Sequence, residues 1–182
     1  MKYIRNFLIL SFAFLMLFAF DAKAQMVGSS SRSIEQKIFK KLIGLPYYGV
    51  FDHISYQVNG GTVTLSGKVL SLGVKKSAER AVKEIEGVTE VVNNIENLSP
   101  SPYDNRIRYD VVREFAARGG NLSGYLQEPN PSVRIIVDGG RVTLEGYVRT
   151  RGDSDLANIL ANGIAGVFKV TNNLIIEKEM VR

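Results

Sequence analysis

The residues able to do chemistry in this chain are few and scattered. His53, the single histidine of 182 residues, follows Asp52, and there is no cysteine and no tryptophan. No HxH or HExxH spacing surrounds His53, so metal ligation and histidine-assisted nucleophilic attack both lack partners. Its expected role is a turn residue ahead of a strand. Asp153 and Asp155 are paired carboxylates at a helix start, where capping and the helix dipole account for them. Gly60-Gly61 and Gly139-Gly140 are followed by no GKS, GKT or GxGxxG pattern, so they read as turns and not as phosphate loops. No catalytic group, cofactor or metal is expected.

What remains is surface recognition. The cations of the first half are mostly lysine, whereas the second half carries Arg106, Arg108, Arg113, Arg118, Arg134, Arg141, Arg149 and Arg151. A guanidinium is weakly hydrated and binds phosphate bidentately. Arg106, Tyr109 and Arg113 fall on one side of a helix starting near Asn105, opposite Ile107, Val111 and Phe115. That composition suits lipid headgroups. It equally describes a solvated face with an Arg106–Asp110 pair at i,i+4 spacing. Leu156 and Ile159 form an apolar strip where the first half has Ser77 and Arg80, fit for domain packing or for a membrane or protein contact. Tyr125 and Leu126 sit in a long loop, Gly119 to Ser132, and either insert at a membrane interface or fold back as a lid on the core. Leu45 to Phe51 carries the same ambiguity, with core packing expected.

The elements that must position these groups occur twice. Gly60 to Val69 aligns without gaps with Gly139 to Val148, and Ile85 to Ile95 aligns at the same offset with Ile164 to Leu174. Two copies of a long period indicate duplicated globular domains, because a solenoid needs three or more units to bury its core. Ile34, Ile38 and Leu42 correspond to Ile107, Val111 and Phe115, four-residue stripes of an amphipathic helix. Ile54, Tyr56 and Val58, then Asn59-Gly60-Gly61, then Val63, Leu65 and Val69 alternate at period two around a turn, which predicts a β-hairpin. A second helix, stopped near Gly87 and Gly166, and a final strand complete each unit. The expected fold class is α+β: two tandem αββαβ domains, each a small sheet with two helices on one face and a wet opposite face.

Met1 to Ala24 has Lys2 and Arg5 ahead of an apolar run from Phe7 to Phe20, ending in Ala22-Lys23-Ala24. That is the pattern of a cleaved signal peptide, and the run is shorter than the roughly 20 residues that cross a bilayer. Export to the periplasm or the medium is expected, with cleavage near Ala24 and no transmembrane span in the mature chain. No cysteine is available for a lipid anchor. Residues 25–32 read as a flexible segment, 33–97 as the first domain, 98–103 as a proline-containing linker and 104–182 as the second domain. Two of the five net positive charges lie in the leader, so net charge by itself argues for no nucleic-acid partner.

The segments Ile54 to Val69 with Gly87-Val88, Val91 and Asn93, and Val133 to Val148 with Gly166-Val167, Val170 and Asn172, resemble the BON domain family (bacterial OsmY and nodulation). The resemblance covers nearly all of the chain beyond the leader. It implies a non-enzymatic, envelope-associated protein, with anionic phospholipid or envelope proteins as partners and a link to osmotic or envelope stress. Its glycines and valines are structural, so the resemblance specifies the fold more than the activity. Candidate lipid or partner contacts are Arg106, Tyr109, Arg113, Tyr125, Leu126, Leu156 and Ile159.

Overall fold

Two helical stripes and two alternating hairpins build the same unit twice. The computed structural model describes residues 34–127 and 130–177; the leader and residues 25–32 lie outside them. In the first unit, residues 34–43 form helix α1, whose Ile34, Ile38 and Leu42 are buried. Strands β1 (His53–Asn59) and β2 (Thr62–Val69) pair antiparallel, with Asn59 opposite Thr62 across the glycine turn. Helix α2 (Leu72–Lys83) starts at Ser71, whose side chain accepts from the Gly73 amide. It returns the chain to β3 (Glu90–Asn97), parallel to β2, giving the order β1-β2-β3.

The second unit repeats this with α3 (Pro102–Arg118), β4 (Val133–Asp138), β5 (Arg141–Val148), α5 (Arg151–Asn162) and β6 (Lys169–Ile176), in the order β4-β5-β6. A one-turn helix, α4 (Leu122–Tyr125), lies in the loop after α3. Only residues 98–101 lie between β3 and α3, which starts at Pro102 with Ser101 as its cap. Each unit has its own core, centred on Val63, Leu65 and Ile38 in the first and on Val142, Leu144 and Val111 in the second. The shared asparagines stitch strand to helix. Asn93 donates to the Lys75 carbonyl and Asn172 to the Ser154 carbonyl, and each accepts from the amide two residues on. Gly67 and Gly146 have positive φ, and a Cβ at either would overlap the carbonyl oxygen of His53 or Ser132 on the neighbouring chain. No side chain fits there.

The two units interlock along β4. As an edge strand, β4 has an open row of backbone groups on its outer side. The first unit's segment 49–52 covers it: the Ile135 amide donates to the Val50 carbonyl at 2.7 Å, and Arg134 Nη1 donates to the Gly49 carbonyl at 2.7 Å. Further along, Arg108 Nη2 donates to the Val137 carbonyl at 2.5 Å. Val50 and Phe51 pack against the second core, and the Phe51 ring meets Tyr109 of α3 edge-on at 5.7 Å. On the open sheet face, Lys68 pairs with Asp138 at 2.5 Å. Five of the six residues of β4 are buried, against one of seven in its counterpart β1. Asp52 fixes the covering segment, accepting from the Gly49 amide at 2.9 Å and the Leu70 amide at 2.7 Å. Its own burial pushes its carboxyl up, opposed by those amides and by Arg134 and Arg108.

Candidate functional site

The seven candidate residues occupy three separate places. On α3, Arg106 and Arg113 are both exposed and both reach Asp110, at 3.7 and 2.7 Å. Their charge is therefore shared with an acid, as the i,i+4 alternative expects. Tyr109 is 66% exposed but lies against Phe51, beside the junction of the units. On α5, Leu156 is half-buried against the second core and Ile159 is 65% exposed. The first unit docks along β4, and Leu156 packs on the core that Val50 and Phe51 also join.

Tyr125 and Leu126 take the second of their two expected roles, the lid. Tyr125 is buried, donating its hydroxyl to Asp153 Oδ2 at 2.8 Å and accepting from the Arg149 amide at 3.1 Å. Leu126 packs half-buried on the core. Burial pushes the Tyr125 hydroxyl up, and its bond to Asp153 adds to that. Burial pushes the Asp153 carboxyl up as well, but bonds from Tyr125, Thr150 and Asn121 outweigh it and hold the carboxyl below its ordinary value. A side chain committed to that network is not a membrane anchor. Two of the grouped arginines also leave the surface: Arg108 is 1% exposed and Arg134 7%. Both are used to close β4.

The structure instead gathers a group of residues at one end of the second domain, where the β4–β5 turn, the start of α3 and the approach to β6 meet. The Tyr103 hydroxyl donates to the Gly166 carbonyl at 2.9 Å, so its ring lies over that turn. The Phe168 amide donates to the Gly140 carbonyl, and a Cβ at Gly140 would meet the Phe168 ring at 2.6 Å. Both aromatics stay open to solvent, Tyr103 at 48% and Phe168 at 78%. Arg106 follows Tyr103 by one helical turn. Arg141 and Lys169, both exposed, are register partners at the same end of the sheet. Beneath them Asp104 is buried, its carboxylate accepting from the Gly139 and Gly140 amides at 3.0 and 2.8 Å. That acid stiffens the turn and does not face the surface.

The same end of the first domain has the opposite character. Thr62, Glu86, Thr89 and Glu90 stand where the second copy has Arg141, Ala165, Phe168 and Lys169, and Glu84 stands at the place of Gly163. There Glu84 and Glu86 pair with Lys41 and Lys37 at 3.5 and 3.8 Å, and Thr62 donates to Glu90 at 3.3 Å. Ile34 lies over Gly87 as Tyr103 lies over Gly166. The two first helices therefore align one turn earlier than Ile34 with Ile107. Three acids have given way to glycine, alanine and lysine, and two threonines to phenylalanine and arginine. Comparing the gap-free copies position by position carries this signal, although Tyr103 and Phe168 are too far apart in sequence to suggest a shared surface.

His53 begins β1 and points at the second domain, its Nε2 lying 4.0 Å from Glu145 Oε2. Burial pushes its imidazole down, the Glu145 carboxylate working against this and Arg134 with it. Among the described residues, no group of three or more histidines, cysteines or acids is placed to hold a metal ion, and no helix is long and apolar enough to cross a membrane.

Comparison with known proteins accords with this architecture. The model of the BON domain matches residues 30–97 and again 104–178. Osmotically-inducible protein Y of Escherichia coli (strain K12) is 28% identical over 138 residues, covering 66% of this chain and 60% of that protein. The chain thus spans about 60% of the length of this curated relative. Among solved structures, the C-terminal domain of CdsD, a structural protein of the type III secretion system of Chlamydia trachomatis, aligns over 78% of this chain and 96% of its own, at 14% identity and a TM-score of 0.30. With a family match over each of its two halves, this chain belongs to the BON domain family and carries the unit in tandem.

Proposed function

We propose that this protein is a non-enzymatic component of the bacterial envelope that binds anionic phospholipid surfaces through the aromatic and cationic end of its second domain. The observation that carries the reading is the exchange at that end: Glu86, Thr89 and Glu90 in one copy, Ala165, Phe168 and Lys169 in the other. Exposed aromatic rings partition into the headgroup region, and each nearby Lys or Arg contributes about 1 kcal/mol of attraction to an anionic leaflet. The name of the Escherichia coli relative, osmotically inducible, supports a role in osmotic or envelope stress. The sequence of Met1 to Ala24 supports export to the periplasm or beyond.

The test is co-sedimentation of the protein with vesicles of anionic or purely zwitterionic lipid at low and high salt. Preferential pelleting with anionic vesicles, reduced by salt, is expected. Equal pelleting with both lipids at low salt overturns the reading. A second reading, contact with an envelope protein through α5, is favoured only by the exposure of Ile159. Capture of an envelope protein that is lost in Ile159→Glu and kept in Phe168→Ser would support it.

A further inference from the structure

The interlock along β4 leaves a cleft between the two domains that the lipid-facing end does not use. It has a volume of about 520 Å³, within the range of small-molecule sites, which favour domain junctions. Phe39 and Tyr56 of the first domain line one side, and Tyr147 and Ile175 of the second line the other. Phe39, Tyr147 and Ile175 are 51, 40 and 45% exposed, so both walls offer apolar area not used by either core.

Charge is concentrated in the same cleft. Arg134 and Glu145 are direct cross-strand partners on β4 and β5, yet no ion pair within 4.0 Å joins them. Each is held from behind. Arg134, more than nine-tenths buried, donates from Nη1 to the Gly49 carbonyl, and its guanidinium lies 4.5 Å from the centre of the Tyr48 ring. Glu145 accepts at Oε1 from Asn173 Nδ2 at 2.8 Å, while Oε2 faces the His53 ring, at 4.0 Å. Burial disfavours the charged form of the His53 imidazole, the neighbouring Glu145 carboxylate working against this. A fixed cation and a fixed anion side by side, with no direct ion pair between them, form a template for a ligand head carrying both charges.

We propose that the interdomain cleft binds a small zwitterion with an apolar body, its ammonium group on Glu145, its acidic group on Arg134 and its apolar part between Phe39, Tyr56, Tyr147 and Ile175. Two sources share this chemistry: a free amino acid with a large apolar side chain, and a single-chain phospholipid with an ethanolamine head. The volume excludes neither.

The test is calorimetric titration of the purified two-domain protein. The probes are phenylalanine, N-acetylphenylalanine, phenylalanine amide, and lysophosphatidylethanolamine kept below its micelle concentration. Saturable one-to-one binding of at least one zwitterion is expected, and which one binds identifies the source. If phenylalanine binds, its two singly charged derivatives bind at least about ten-fold more weakly, the effect of one lost charge-assisted contact. Glu145→Gln, which keeps the acceptor for Asn173, and Tyr147→Ala on the opposite side of the charge pair each weaken binding of whichever probe binds by a similar factor. Phe168→Ser leaves cleft binding unchanged, so this site and the lipid-facing end fail independently. The proposal is overturned if neither zwitterion binds up to millimolar concentration. It is overturned equally if the blocked derivatives bind as well as phenylalanine, or if Glu145→Gln and Tyr147→Ala, shown to be folded by thermal melting, bind like the wild type.

Discussion

Replacing Phe168 with serine isolates the apolar share of the proposed membrane attachment. The ring is 78% exposed and lies over Gly140, so its removal opens little of the core. Fully burying a phenylalanine is worth about 1.5–3 kcal/mol. The part of that area still exposed in the free protein leaves about 1–2 kcal/mol to be gained on insertion at a headgroup interface. Partitioning should therefore fall about ten-fold, and equally at low and high salt, because the lost term is not electrostatic. The matching perturbation, Arg141→Gln with Lys169→Gln, should lower binding to anionic vesicles by a comparable factor at low salt and hardly at all at high salt. The assay is vesicle co-sedimentation over a lipid titration, with far-ultraviolet circular dichroism confirming the fold. Thr89→Phe in the first domain is the control: it installs the same ring beside Glu86 and Glu90 and should add no affinity for anionic lipid. If Phe168→Ser binds within two-fold of the wild type while remaining folded, the aromatic end is not the membrane contact.

Three further outcomes follow from the packing. Gly67→Ala should destabilise the first domain by about 3 kcal/mol or more, because the new Cβ overlaps the His53 carbonyl, whereas Gly60→Ala, with nothing within 4 Å, should cost about 1 kcal/mol; urea unfolding distinguishes them. Asp153→Asn should cost the second domain about 1–3 kcal/mol near pH 7 through its bonds to Tyr125 and Thr150. The folded carboxyl titrates below its usual 3.8, so that contribution is present above the unfolded value and disappears as pH falls through the folded one; the two melting temperatures should converge in acid. Phe51→Ala removes the ring packed on Tyr109 and should speed hydrogen exchange at the Ile135 amide, which donates to Val50, while amides in the β5–β6 ladder keep their protection.

The αββαβ unit was readable because its signals are local: alternation in Ile54–Val58 and Val63–Leu65, a glycine pair at each turn, and a stripe at four-residue spacing. The candidate surface was less so. Helical spacing places Arg106 and Arg113 on one side of α3 and anticipates the pairing of Arg106 with Asp110, though not that of Arg113. It could not show that Arg108, next to the core Ile107 and three residues from the core Val111, turns inward to a strand edge lacking a neighbour. Arg134 was grouped with the surface cations for the same reason: alternation along β4 puts it on the open face, and only docking of the first domain covers that face. Tyr125 was an undecided case because a loop aromatic takes its role from partners elsewhere, here Asp153 and the Arg149 amide. The grouping of Tyr103 with Phe168 depends on two turns meeting at the end of a sheet, which no periodicity reports.

The borrowed closure of β4 makes the order of the two copies consequential. The second copy is finished by a carbonyl that belongs to the first, so excising the first copy would expose a hungry hydrogen-bonding edge flanked by valine and isoleucine. Such an edge recruits whatever extended chain is near, including another molecule of the same fragment. The first copy has no comparable debt. During synthesis it can be complete before β4 exists, with Val50 already positioned to receive Ile135. Duplication here has produced a leading and a dependent half, so exchanging their order would not regenerate the same molecule.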